Sequence, residues 1–557
     1  MDDKNFSYFS SDTDLADGNR GQSKNKMESE MVFKRSLDMY NVSTKSFVRS
    51  RKLPYATTWN GGCPMLCHPH KNMVYYDPSD AHTMILGATG SKKSRLLVMP
   101  TVHLLADAGE SMVINDPKGE IYRRTSGHLE KNGYRLYVLN LRDPRLGNTW
   151  NPLSIPYDYY VRGNVDKANE LVNDIANNLA LSHISQKDPF WDYSAGNVLA
   201  GLILLLFKFC HENGVGRGLV NFESLWLLRL AFFNDDEYSV RSGLEQLARE
   251  DTVIYSSLSG TITAADKTKA SILCTLDEKI RFLSMSHELM CMLSDNDFDI
   301  TSIQKQKSAV YLIVPDEKTT YHKLVSMFIK QSYECLVGNA YNAKPFDGFA
   351  LRVNYILDEF SALPAMQDFP SMIAAARSRN IRYILVVQSL HQLQVRYDDE
   401  AQTIMANCTN WFFLASRELQ LLKNISELCG TDSKGKPLIP ISTLQRLDKE
   451  TGECLILTGR LRPYVSKLMD VDAYDQGNIS TVPFRDRVRD EREKLSFQAV
   501  LNKSSDSKTN RVLENPNWSA NHQADDDMDS SAELEKKFDE LFGKLDSKAN
   551  VEDNTDD

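Results

Sequence analysis

The chain has 557 residues, room for two to four domains at roughly 100–200 residues each. Hydrophobic residues make up 42% and charged residues 25%, a globular mixture that excludes collagen-like, coiled-coil and wholly disordered chains. The net charge of −10 is concentrated at the end: residues 524–557 hold 13 Asp/Glu against 4 Lys, leaving −1 for all the rest.

In chain order, residues 1–58 read as a polar, flexible N-terminal arm with one short helix near Glu28–Tyr40. From Trp59 short apolar runs alternate with helical spacing, which predicts a parallel sheet covered by helices. Within this first half of an α/β domain (59–155), Cys63, Cys67, His68 and His70 have metal-ligand chemistry at tight spacing. With no second Cys/His cluster and four ligands within eight residues, zinc is set aside. The nine cysteines lie mostly in apolar runs without a signal peptide, so they read as reduced cytosolic thiols.

The run Thr83–Leu86 leads into Gly87-Ala88-Thr89-Gly90-Ser91-Lys92-Lys93-Ser94 and then into a helical pattern. A strand, a Gly-rich turn and a helix opening with Lys-Ser is the context of a P-loop. Backbone amides cradle phosphates, Lys93 reaches the β/γ oxygens of ATP, and Ser94 ligates Mg²⁺. Lys92 stands where G-x-x-x-x-G-K-[ST] has its second glycine. If that position is left-handed, a side chain costs about 1–2 kcal/mol there, roughly tenfold in affinity, which a nucleotide site survives.

Residues 156–300 lose the strand signal and read as an all-α insertion. Its longest apolar run, Val198–Phe209, is too short to span a membrane and reads as a buried helix. Strand patterns return over 301–480, the second half of the α/β domain. Val353–Leu357 ends in Asp358-Glu359, a Walker B arrangement: Asp358 holds Mg²⁺ through water and Glu359 orients or deprotonates the attacking water. A second strand, Tyr383–Val387, ends in Gln388, a polar sensor beside the γ-phosphate. Together these predict a RecA-like P-loop domain with a mostly parallel sheet. In GRLRPY, Arg460, Arg462 and Tyr464 either touch DNA or pack on the sheet edge, packing being favoured. Residues 481–557 read as a charged, largely disordered acidic tail in which Leu534, Phe538, Leu541 and Phe542 keep helical spacing, either as a short partner-docking peptide or as a weak nascent helix in a solvated tail.

Several segments in order, HTMILGATGSKKS, SMVINDPKGEIYRR, NTWNPLS, DPFWDYSAGNVLAGLI, NYILDEFSALPAM and RYILVVQSLHQL, resemble the TraG-like type IV secretion coupling proteins. These are conjugative DNA-transfer ATPases related to FtsK and HerA, and the resemblance spans about residues 60–475. It implies a hexameric ring that hydrolyses ATP with Mg²⁺ at subunit boundaries and pumps single-stranded, relaxase-bound DNA to a secretion channel. The helical insertion would receive the relaxase. It places Asp116 and Lys118, in the Asp-Pro-Lys-Gly-Glu turn, near the nucleotide, and an arginine finger from a neighbouring subunit among Arg377, Arg379 and Arg417. Unlike typical members, the chain shows no N-terminal membrane anchor. The expectation is therefore a cytoplasmic protein that reaches the channel through a separate membrane partner. Lys92 and the missing anchor leave two alternatives: an ATP-binding adaptor that hydrolyses weakly, or a cytosolic DNA motor outside conjugation.

Overall fold

The computed structural model describes residues 37–48, 59–181, 189–233, 238–342, 351–459, 461–476, 479–486 and 494–501. Most of the expected N-terminal arm, Arg460, and the tail segment with Leu534, Phe538, Leu541 and Phe542 lie outside the described residues. The chain divides into two units, Met1–Leu495 and Ser496–Asp557, and only the first is described at length.

Thirteen strands are described: β1 (Asp38–Asn41), β2 (Ser46–Val48), β3 (Pro64–His68), β4 (Met73–Tyr76), β5 (His82–Leu86), β6 (Ser111–Asn115), β7 (Arg135–Asn140), β8 (Ser308–Ile313), β9 (Val353–Leu357), β10 (Ile381–Val387), β11 (Cys408–Phe413), β12 (Glu453–Thr458) and β13 (Tyr464–Lys467). Nine form one sheet in the order β13-β12-β11-β5-β10-β9-β6-β8-β7. Every pair from β11 to β7 is parallel, and β12 and β13 extend one edge antiparallel. This is the RecA-like α/β fold the sequence predicts. Its central strands are apolar throughout because both faces are covered: β5, β6, β8, β9 and β10 are buried at every position.

A second sheet, β2-β1-β4-β3, is antiparallel. The sequence reading places residues 38–48 in the flexible arm and a helix near Glu28–Tyr40. Over its described part that range is strand instead. Met39, Tyr40 and Asn41 pair with Tyr75, Val74 and Met73 of β4, a partner about 35 positions away that no local pattern announces. Tyr40 is buried against Phe47, ring centroids 5.0 Å apart, and its hydroxyl contacts Asp107.

Between β7 and β8 the described chain is helical. Its spine, Phe190–Glu212, is apolar on all sides, and it is the one described helix long and apolar enough to cross a membrane. Most of that apolar stretch is buried inside the fold, as for a core helix. Asn151 fastens the helical segment to the sheet domain, its Nδ2 donating to Val220 O at 2.8 Å, while Trp150 Nε1 donates to Gln331 Oε1 at 3.0 Å on the helix after β8.

Candidate functional site

Strand register brings the predicted motifs together. Leu86, the last residue of β5, lies opposite Val387 of β10 and Phe413 of β11, and Leu357 of β9 lies opposite Leu385 of β10 and Asn115 of β6. The carboxyl ends of four neighbouring strands therefore deliver the P-loop, Gln388, Asp358-Glu359 and Asp116 to one edge, where open α/β sheets bind ligands.

The loop after β5 needs glycine at two positions. An added Cβ on Gly87 would lie 2.5 Å from Ser91 Oγ, and Gly90 has φ +75°. Lys92 also adopts the left-handed conformation, φ +65°, so the strain expected of a non-glycine residue there is present. Its Nζ pairs with Glu450 Oε2 at 2.5 Å. Lys93 is buried and folds over the loop, donating to Gly87 O at 2.6 Å and Ala88 O at 3.3 Å. Burial holds its ammonium below the usual lysine range, opposed by the carboxylates of Glu359 and Asp358. Lys118, in the Asp-Pro-Lys-Gly-Glu turn, adds a smaller repulsive charge there. The helix behind the loop opens with a wide π turn, Ser94–Val98, in which Met99 N–H reaches Ser94 O. Pro100 follows, with no N–H and a ring that crowds the preceding turn, and the wider winding relieves that clash.

Ser94 Oγ donates to Asp358 Oδ2 at 3.1 Å. Burial, then the neighbouring Glu359 charge, pushes the Asp358 carboxyl up to about 6, while Lys93 and the Ser94 hydroxyl pull it back. Asp116 is pushed by burial to about 7, although Tyr122 N–H donates to its Oδ2 at 2.8 Å. Glu359 is itself left-handed, φ 53° and ψ 43°, and Gln388 Nε2 donates to its Oε2 at 2.8 Å. Among the described residues, two buried oxygens at this edge, Ser91 Oγ and Asn115 Oδ1, have no hydrogen-bond partner, as groups awaiting a polar ligand do. Asn115 Nδ2 donates to Asp358 O at 2.6 Å and fixes that turn.

The arginines fall in different places. Arg377 and Arg379 precede β10, at the opposite end of the strands from the P-loop. Arg377 pairs with Asp80 at 2.9 Å, and Arg379 donates to Ala375 O at 2.8 Å. Arg417 follows β11 on the P-loop side, two residues beyond Ala415, whose carbonyl accepts Ala88 N–H at 3.2 Å. Tyr464 packs into the core while Arg462 is exposed. Cys63 is buried, Cys67 and His68 lie on β3, and among the described residues no group of three or more ligating side chains is placed to hold a metal ion. Sequence reasoning missed Asn115 and the turn at 448–452, whose Lys449 Nζ also reaches Gly90 O at 3.3 Å. Neither follows a motif: both act on the site from elements distant in sequence.

A family model described as type IV secretory system conjugative DNA transfer matches residues 25–434. The chain belongs to this family. Among its relatives, the type IV secretion system-coupling protein VirD4 of Bartonella henselae is 25% identical over 402 residues, 68% of this chain and 57% of that one. The conjugal transfer protein TraG of Escherichia coli is 23% identical over 379 residues, 65% of this chain and 57% of that one. The chain thus spans somewhat over half the length of these relatives. Among solved structures, the bacterial conjugative coupling protein TrwBdeltaN70 superposes with a TM-score of 0.50 at 14% identity, covering 74% of this chain and 88% of that one. That likeness is one of fold. The resemblance to coupling proteins of the P-loop class, read from the motifs, is borne out by the family match.

Proposed function

We propose that this member of the coupling-protein family is an ATP-driven DNA translocase of a type IV secretion or conjugation system. In this reading it works as a hexameric ring, recruits a relaxase with its single-stranded DNA, and delivers both to the membrane channel. The observation that carries the catalytic part is the Ser94 hydroxyl 3.1 Å from the Asp358 carboxylate at the mouth of the P-loop. Two hard oxygen donors side by side suit Mg²⁺, and the buried, partnerless Ser91 Oγ and Asn115 Oδ1 suit a polar ligand beside them. Residues 87–94 would hold the phosphates of ATP, with Ser94 and Asp358 on Mg²⁺, whose charge offsets that of the phosphoryl oxygens.

In this mechanism Lys93 exchanges its carbonyl partners for phosphate oxygens. Glu359 takes the proton of the attacking water, and Gln388 holds the Glu359 carboxylate in the acceptor orientation. Arg417 is the arginine best placed to act on a nucleotide-side boundary, since Arg377 and Arg379 lie at the other end of the strands. The weakly hydrolysing adaptor is favoured by one observation, the left-handed Lys92 tied to Glu450. Phosphate release by the purified chain, with and without single-stranded DNA, separates the two. DNA-stimulated turnover abolished by Lys93→Ala supports the motor. An inert wild type revived by Lys92→Gly supports the adaptor.

A further inference from the structure

The P-loop of this chain carries two lysines, held in opposite ways. Lys93 turns inward, whereas Lys92 reaches out to Glu450 with 27% of its side chain exposed. Glu450 sits on a constructed turn. Asp448 Oδ1 accepts Glu450 N–H at 2.9 Å, Asp448 O accepts Glu453 N–H at 2.9 Å, and Asp448 N–H reaches Glu453 Oε2 at 3.1 Å. Gly452, φ +74°, closes the turn where an added Cβ would lie 2.3 Å from Leu468 O, and Leu468 N–H donates back to Gly452 O at 2.9 Å. Two consecutive residues of this pinned turn thus grip the two left-handed residues of the phosphate loop: Lys449 holds Gly90 and Glu450 holds Lys92.

We propose that Glu450 is a positioning residue that holds the Lys92 ammonium outside the phosphate cradle, and that a bound polyphosphate competes with it for that charge. The inference rests on the nucleotide-site reading above. An exposed ion pair is weak, and Glu450 is 66% exposed, so the pair is easily exchanged. A triphosphate presents more negative charge than one carboxylate, and within the loop it is screened less than at the open surface. Lys92 therefore divides its time between two anions. By reciprocity the 448–452 turn docks less firmly when the loop holds a triphosphate, and its docking lowers triphosphate affinity. A diphosphate, with less charge to offer, competes less.

The test is equilibrium titration of the full chain with the fluorescent analogues mantATP and mantADP in Mg²⁺, using wild type, Glu450→Gln, Glu450→Asp, Lys92→Gly and the Lys92→Gly/Glu450→Gln double variant. Glu450→Gln is expected to tighten mantATP about three- to tenfold, and mantADP less, by freeing one charge of surface-pair strength. In the Lys92→Gly background the same change should be under about twofold, and Glu450→Asp should behave as wild type. Glu450→Gln leaving affinity unchanged or weaker overturns the proposal. So does an equal gain in both backgrounds, since the glutamate would then act on the nucleotide by its own charge and not through Lys92. A folded wild type that binds neither analogue removes the nucleotide-site reading and this inference with it, whereas binding without coupling removes this inference alone.

Discussion

Gln388 and Glu359 are joined by a 2.8 Å hydrogen bond that ties the tip of β10 to the acidic turn after β9. Glu359 holds a left-handed backbone that costs a non-glycine residue about 1–2 kcal/mol, and strain of this kind gathers at working sites. Glu359→Gln should therefore lower ATP turnover by about 10²-fold or more while nucleotide affinity stays within about threefold. Gln388→Ala should give a smaller loss of the same kind. Steady-state turnover beside mantATP titration checks both. A Glu359→Gln chain turning over at the wild-type rate removes the general base.

Lys93 is the only buried cation of the loop, and its present partners are carbonyl oxygens that phosphate would replace. Lys93→Ala should weaken mantATP binding by about ten- to a hundredfold, the range of a charged hydrogen bond, without lowering the melting temperature appreciably. Parallel titration and thermal melts measure both quantities.

Across the sheet from the site, Arg382 and Glu110 form an ion pair at 3.2 Å, exposed by only 3% and 5%. Asn354 Oδ1 and Gly61 O accept further guanidinium hydrogens, so the pair is fully served. Glu110→Ala would leave that guanidinium buried without its counter-charge, and a loss of about 3–5 kcal/mol in unfolding free energy is expected by urea denaturation. Glu110 also pairs with Arg352 at 3.5 Å and accepts Gly61 N–H at 3.0 Å, so apolar replacement of both Arg382 and Glu110 should not recover that loss.

His82 is buried with its tautomer set by two bonds: Nδ1 accepts Tyr383 N–H at 3.0 Å and Nε2–H donates to Ile373 O at 2.8 Å. Burial, with some repulsion from Arg377 and Arg382, lowers it to about 4. The unfolded chain takes up that proton below about pH 6.5, whereas the folded one resists until about pH 4. The stability His82 confers is complete above about pH 6.5 and disappears as pH falls to about 4. His82→Asn keeps an acceptor for Tyr383 N–H, so its unfolding free energy should fall by about one proton's slope less per pH unit across that window. Identical slopes in the two chains would refute the assignment.

The sheet and the site were legible to different degrees. Strands β5, β6, β8, β9 and β10 announce themselves as short apolar runs because both faces are covered. The phosphate loop and Asp358-Glu359 are readable because their chemistry needs fixed residue types beside a strand end. Of the helix expected near Glu28–Tyr40, the described end, Asp38–Tyr40, is strand because β1 owes its form to β4 and not to its own propensity. The turn at 448–452 carries ordinary surface residues, and only the packing of Gly452 against Leu468 brings it over the loop. Likewise Asn115 looks like one more polar residue ending a strand until its bond to Asp358 O is seen.

The neighbours of β5 set a timetable. His82 meets Tyr383 across 301 positions of chain, and Phe413 of β11 comes later still. During synthesis the phosphate loop leaves the ribosome long before either flanking strand exists. The whole helical insertion must emerge before β8 can join β7. Closing such long loops is slow, and until they close β5 is an exposed, sticky segment. A nascent chain halted before Phe413 holds the full phosphate loop while one edge of β5 is still without its strand partner.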